Sequence, residues 1–169
     1  MITIGLFGTC GQSTWRKSFI EAYGAHSISF YNPQLGEGEW KPEFADKYVQ
    51  EENRNLKTND IVLFPVTDET TAFGSLGEIG FSILDTMRNL GDRYLIVYIA
   101  DNCNDPKATQ SEIDNSERMR KLVKTKAIDE SKQNSKVFVV NDLEAMLELS
   151  LALNGILNSI TDVRKRYVG

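Results

Sequence analysis

The amino-acid sequence predicts an α/β fold: a three-layer sandwich with helices on both faces of a central, mainly parallel five-stranded sheet. Two patterns and one bulk property carry that expectation. Five short apolar runs alternate with helical patterns, and such alternation implies right-handed βαβ crossovers. Most of the runs are continuously apolar, as in parallel strands covered on both faces. The 169 residues, 41% of them hydrophobic, suit one domain, 1–169, built round one core.

In chain order, "ITIGLF" (2–7) is the first strand, and a helix follows from 13 or 14 to 23. "SISFY" (27–31) is the second strand, with a helix over 43–56. "DIVLFPV" (60–66) is the third, and the helix over 76–90 sets Ile79, Ile83 and Met87 at i, i+4 and i+8 with Leu84 beside them. "YLIVYIA" (94–100) is the fourth strand. The polar tract "DNCNDPKATQSEIDNSE" (101–117) reads as a long loop or partly ordered insertion, with a lid over the site as the other reading. A helix over 116–130, the strand "KVFVV" (136–140) and a helix over 142–160 complete the chain. The last helix is apolar over a wide arc, from Leu143 through Leu151 to Ile160, more than one sheet face needs. Part of it packs in its own core or against another subunit.

Composition excludes several functions. A formal charge of -5 and a pI of about 5.0 disfavour binding a nucleic acid polymer, which needs a basic face. Arg118, Arg120, Lys121, Lys124 and Lys126 cluster among acids and read as a solvated helix face. Cys10 and Cys103 make no disulfide framework, and with His26 the only histidine no metal site or cofactor is expected. His26 itself, in "GAHSISF", reads as a packed or surface residue. The N-terminus lacks a basic signal region and no apolar run spans a membrane, so the chain reads as cytoplasmic and reduced.

Ligands of open parallel sheets bind beyond the carboxyl ends of the strands. Three loops there combine Gly with polar side chains: "GTCGQSTWR", "NPQLGEGEW" and "TDETTAFGSLGE". The first opens a helix and suits an anion on its amides, or Ser13 simply caps that helix. Phe7, Trp15, Tyr31 and Trp40 are candidates to stack on a base, or belong to the core. Glu78 stands among Gly74, Gly77 and Gly80, although each helical Gly costs about 1 kcal/mol against Ala. Ser75-Leu76-Gly77-Glu78 fits a capping box, in which Glu78 only bonds back to the Ser75 amide. Against that, bare glycines let a ligand approach closely, and a first-turn carboxylate is kept ionised by the helix dipole, as a nucleophile at a sugar C1 requires. Asp68 and Glu69 lie on the ligand side, suited to acid–base work. Asp60 is a further catalytic candidate, but its place at the start of strand three favours a structural role.

"LKTNDIVLFPV…D…GSLGEIGFSI" resembles the nucleoside 2-deoxyribosyltransferase family, whose hallmark is G-x-x-x-E-x-G on the helix after strand three; Gly74, Glu78 and Gly80 fit it in register. "GTCGQSTWR", "FYNP" and Trp40 resemble its deoxyribosyltransferase-like branch, and together these segments cover about residues 2–90. The resemblance implies a Rossmann-like (flavodoxin-like) sandwich, a homo-oligomer, and cleavage or exchange of the N-glycosidic bond of a small-molecule nucleoside or nucleotide. Glu78 would be the nucleophile, forming a glycosyl-enzyme released to water or a second base. Gly8, Thr9, Asn32, Gly74 and Ser75 would contact the substrate, and Ser13, Thr14 and Arg16 would receive a 5′-phosphate, unless Arg16 is an ordinary surface residue. The Asp that family transferases carry just before the Glu is replaced by Ala72, which leaves base protonation unassigned. The alternatives are a water-using nucleotide N-glycosidase, acting on a monophosphate or an NAD-like dinucleotide, and a non-catalytic nucleotide-binding module.

Overall fold

A computed structural model describes residues 2–10, 13–35, 41–88 and 93–167. Its elements are β1 (Thr3–Leu6), α1 (Trp15–Ala25), β2 (Ser29–Tyr31), a 3-10 turn (Pro42–Phe44), α2 (Ala45–Thr58), β3 (Ile61–Val66), α3 (Phe73–Arg88), β4 (Tyr94–Ile99), α4 (Gln110–Ser131), β5 (Val137–Val140) and α5 (Leu143–Tyr167). The five strands form one parallel sheet in the order β2-β1-β3-β4-β5. All six residues of β3 are buried, which is why its sequence is apolar throughout.

Two cores separate the layers. Trp15, Phe19 and Tyr23 of α1 pack with Met146, Leu153 and Leu157 of α5 on Ile4, Leu6, Leu63 and Ile96. On the other face Leu76, Ile79 and Ile83 of α3 and Ala127 of α4 cover Val62, Phe64, Leu95 and Val97, with Leu56 of α2 against them. Right-handed crossovers give this division: α1 precedes a step to one side of β1, and α2, α3 and α4 precede steps to the other. Among the described residues no helix is long and apolar enough to cross a membrane, and no group of three or more His, Cys, Asp or Glu side chains could hold a metal ion.

Three helices differ from expectation. α3 begins at Phe73, three residues earlier than predicted, with the Leu76 amide already bonded to the Ala72 carbonyl at 2.9 Å. α4 begins at Gln110, so the second half of the tract 101–117 is helix rather than loop or lid. The missed signal is a capping box: Thr109 Oγ1 accepts from the Glu112 amide at 3.4 Å, and Glu112 Oε2 accepts from the Thr109 amide at 2.7 Å. α5 runs on to Tyr167.

Candidate functional site

The strand order reverses at β1, so the loops leaving β1 and β3 part in opposite directions and open a crevice at the carboxyl edge. The first of these loops is tied to the second. Gly8 has φ 92°, and a Cβ there would lie 2.4 Å from the Pro65 carbonyl oxygen, so only glycine fits. Pro65 is tolerated in this central strand because it faces Gly8, where β1 has already ended. The Thr9 amide donates to Pro65 O at 2.9 Å, and the Thr67 amide donates to Thr9 Oγ1 at 3.0 Å. Ser13 Oγ and Thr67 Oγ1 share a hydrogen bond of 3.2 Å.

Two buried arginines hold these loops from behind. Arg16, 2% exposed, donates from Nε to Leu6 O at 3.0 Å, from Nη1 to Thr9 O at 2.6 Å and from Nη2 to Gly8 O at 3.2 Å. Its donors are spent on backbone carbonyls, so it is a strut of the loop and neither a surface residue nor a free phosphate ligand. Arg120 has the same role for the second loop. Its Nη2 donates to Thr67 O and Thr70 O at 2.9 and 2.6 Å, and its Nη1 to Ala100 O at 3.2 Å. The expectation of a solvated basic helix face fails here, because Arg120 is fully buried under the carboxyl ends of β3 and β4.

Glu78 lies in the second turn of α3, since the helix begins at Phe73. Ser75 is therefore inside the helix and cannot be its cap, which removes the capping-box reading. Among the described residues the half-buried Glu78 carboxylate has no hydrogen-bond or ion-pair partner. It lines a cavity of about 550 Å³ between α2 and α3. Among the described residues, a Cβ added at Gly74, Gly77 or Gly80 would meet nothing within 4 Å, so packing against those residues does not demand these glycines. Burial and the nearby charge of Glu52 push the Glu78 carboxyl above the ordinary range. That is opposite to the expectation that the helix dipole keeps it ionised: loss of solvent and a like charge outweigh a dipole that fades beyond the first turn.

Glu52, on α2, is a candidate site residue that sequence reasoning missed. Burial raises its carboxyl and the charge of Arg16 opposes the rise. It shares a cavity of about 120 Å³ with Tyr31, Asn32 and Glu51, and burial beside these acids pushes the Tyr31 hydroxyl up to about 12. Within "YVQEENRN" nothing marks Glu52 among its charged neighbours. Only the packing of α2 beside β1 and α3 selects it.

The other predicted residues divide. Gly8, Thr9 and Ser13 meet at the β1–β3 crevice, while Asn32 reaches the Glu52 cavity. Gly74 and Ser75 lie in the first turn of α3, exposed and half-buried. Phe7 and Trp15 are 1% and 4% exposed: Phe7 packs on Tyr31 and Phe64, and Trp15 on Phe19, so both rings are core and closed to a base. Trp40 lies outside the described residues. Asp68 accepts from Asn104 Nδ2 at 2.6 Å and lines a cavity with Tyr98, Asp101 and Lys124, separate from that of Glu78. Asp60 sits at the opposite, amino edge of the sheet, where its Oδ2 accepts from the Thr3 amide at 2.8 Å. Its catalytic candidacy gives way to a structural role, fastening β1 to β3.

A family model described as "Nucleoside 2-deoxyribosyltransferase like" matches residues 2–90. No curated protein matches the chain. Among solved structures, the crystal structure of a conserved protein from Enterococcus faecalis V583 is similar, with a TM-score of 0.49 and 14% identity over 88% of this chain and 96% of that one.

Proposed function

Because the chain belongs to the nucleoside 2-deoxyribosyltransferase-like family, we propose that it cleaves or exchanges the N-glycosidic bond of a nucleoside or nucleotide, with Glu78 as nucleophile. One observation carries the reading: a half-buried carboxylate, without a partner among the described residues, lines a cavity, with Gly74 one helical turn before it leaving open space. Such a group is free to meet a sugar carbon. In the first step Glu78 forms a bond to C1′, the C1′–N bond breaks, and its electron pair leaves with the base. The departing nitrogen takes a proton, for which Glu52 is the candidate, since burial favours its protonated form. Water or the N–H of a second base then attacks C1′, releases Glu78 and returns a proton to Glu52. Thr9, Ser13 and Thr67 shape the crevice at the carboxyl ends of β1 and β3, with Arg16 and Arg120 holding the loops that carry them.

The same reading includes self-association. On the outer face of α5, Ile156, Ile160, Val163 and Tyr167 are exposed at spacings of four, three and four, a seam suited to a second copy.

The test is incubation with deoxynucleosides, ribonucleosides and their 5′-monophosphates, each with and without an acceptor base, followed by chromatography. Base release or exchange is expected, with turnover falling at least about a thousandfold in Glu78→Ala. Dependence on the acceptor separates transferase from hydrolase. Unchanged turnover in a folded Glu78→Ala protein would overturn the assignment of the nucleophile.

A further inference from the structure

The loop that leads from β3 into α3, residues 67–72, is tied down by segments that follow β4. Asn104 donates twice to Asp68, from its amide to the Asp68 carbonyl at 2.7 Å and from Nδ2 to Oδ2 at 2.6 Å. The Thr70 carbonyl accepts from Arg120 Nη2 at 2.6 Å and from the Cys103 thiol at 3.5 Å. The Thr71 carbonyl accepts from Ser116 Oγ at 2.8 Å, and Ser116 Oγ accepts in turn from Arg120 Nε at 3.0 Å. Ser116 and Arg120, at i and i+4 on one face of α4, are both fully buried.

These bonds reach the start of α3. Ala72 has φ 53°, a left-handed conformation that a residue with a Cβ keeps only where its surroundings hold it. The Thr71 carbonyl held by Ser116 belongs to the peptide group that enters Ala72. The Ala72 carbonyl then accepts the Leu76 amide, the first bond of the helix. Glu78 follows six residues after Ala72, about 9 Å along the helix axis. Leu76, Ile79 and Ile83 press α3 onto the sheet, but apolar packing is non-directional and sets its height more than its position along the strands. The hydrogen bonds at Thr70 and Thr71 are directional.

We propose that Ser116 and Arg120 are positioning residues: through the Thr70 and Thr71 carbonyls they fix where α3 begins, and so where the Glu78 carboxylate stands. The inference rests on the reading of Glu78 as nucleophile. A buried cation is expensive, and a well-packed apolar residue often serves stability as well. What an apolar residue could not supply is the fork that fixes the Thr67, Thr70 and Ala100 carbonyls relative to one another. A misplacement of about 1 Å at a reacting group costs on the order of a hundredfold in rate, so bonds remote from the sugar carbon are enough to matter.

The test compares Ser116→Ala and Arg120→Lys with the parent, each shown to be folded by circular dichroism. The first readout is kcat and KM on a nucleoside or nucleotide that the parent turns over. The second is the titration of the Glu78 carboxyl carbon, followed by NMR. In Ser116→Ala kcat should fall about tenfold, and in Arg120→Lys about a hundredfold, with KM within about threefold of the parent. The Glu78 midpoint should fall toward the ordinary carboxylate range in both, as α3 shifts and solvent reaches the group. A merely structural role would lower Tm and leave kcat and the Glu78 midpoint at the parent's values, which would refute the proposal. Where Arg120→Lys does not fold, Ser116→Ala decides alone. If the parent turns over no nucleoside or nucleotide, the glycosidic reading fails, and the Glu78 midpoint by itself decides whether the two residues place the carboxylate.

Discussion

Glu78 carries a titration that reaches both stability and rate. Its carboxyl is held above the ordinary Glu value of 4.5 by burial and by Glu52. Between that value and its raised one, the folded chain binds more protons than the unfolded chain, so stability falls as pH rises through the window. Above the window the Glu78 charge is a standing cost. Glu78→Gln should therefore melt higher than the parent at pH 8, by at most about 1 kcal/mol once the open side of the cavity screens the charge. The difference should disappear at about pH 4, where both states of the parent are protonated. Turnover should run the other way, lost on acidification at a pH above the usual carboxylate range, because the protonated acid is no nucleophile. At Gly8 the expectation is structural. Gly8→Ala puts a Cβ 2.4 Å from Pro65 O at φ 92°, so urea melts should show a loss of more than about 2 kcal/mol. The two residues also differ in legibility. Glu78 stands out in sequence because glycines at fixed offsets surround it. Arg16, Arg93 and Arg120 look like surface charges, and their burial is decided by the carbonyls and the carboxylate that the fold brings against them.

Helix ends show how local chemistry sets the elements and where it is missed. α1 closes with the Ser27 amide bonded to Gly24 O at 3.2 Å and the Ile28 amide to Tyr23 O at 3.0 Å, a Schellman turn. The turn places Ser27 at φ 54°, where glycine is the favoured residue. Ser27→Gly should raise stability by about 1 kcal/mol, or roughly 2–4 °C in Tm. Ala72, at φ 53°, bears a similar strain where the chain enters α3. The T-x-x-E box at the start of α4 predicts the reverse effect: Thr109→Ala should cost about 1 kcal/mol by removing the cap, measurable as a lower Tm. Both boxes are readable as four-residue patterns, but only one is used. Ser75-x-x-Glu78 matches in letters, yet the chain enters helix at Phe73, so the pattern alone overrules nothing. What decides is the carbonyl of Ala72, already engaged by Leu76, and that contact has no signature in the sequence.

At the scale of the molecule, the parallel sheet was legible because buried strands such as β3 leave continuous apolar runs, whereas the meeting of α2 with α3 was not. Which helix faces touch depends on crossover order, and so Glu52 and the Glu78 cavity emerge only from the assembled layers. α5 extends this reasoning to the protein's surface. Its 25 residues span about 37 Å, while the strands it covers have four to six residues and span about 13–20 Å. The first half of α5 therefore buries Met146 and Leu153 on the sheet, and Leu157 is the last of its buried apolar residues. Beyond it, Ile160, Val163 and Tyr167 remain 43–77% exposed on a face flanked by Asp162, Arg164 and Lys165. An apolar seam with charged borders favours an antiparallel or parallel pairing with its own copy over solvent. Light scattering coupled to size exclusion should then give a mass of at least two chains. Ile160→Glu should give one chain, with an unchanged circular dichroism spectrum, because the residue touches no buried core. A parent protein that runs as a single chain at tens of micromolar would remove the seam from the argument and leave α5 as a helix that outgrows its sheet.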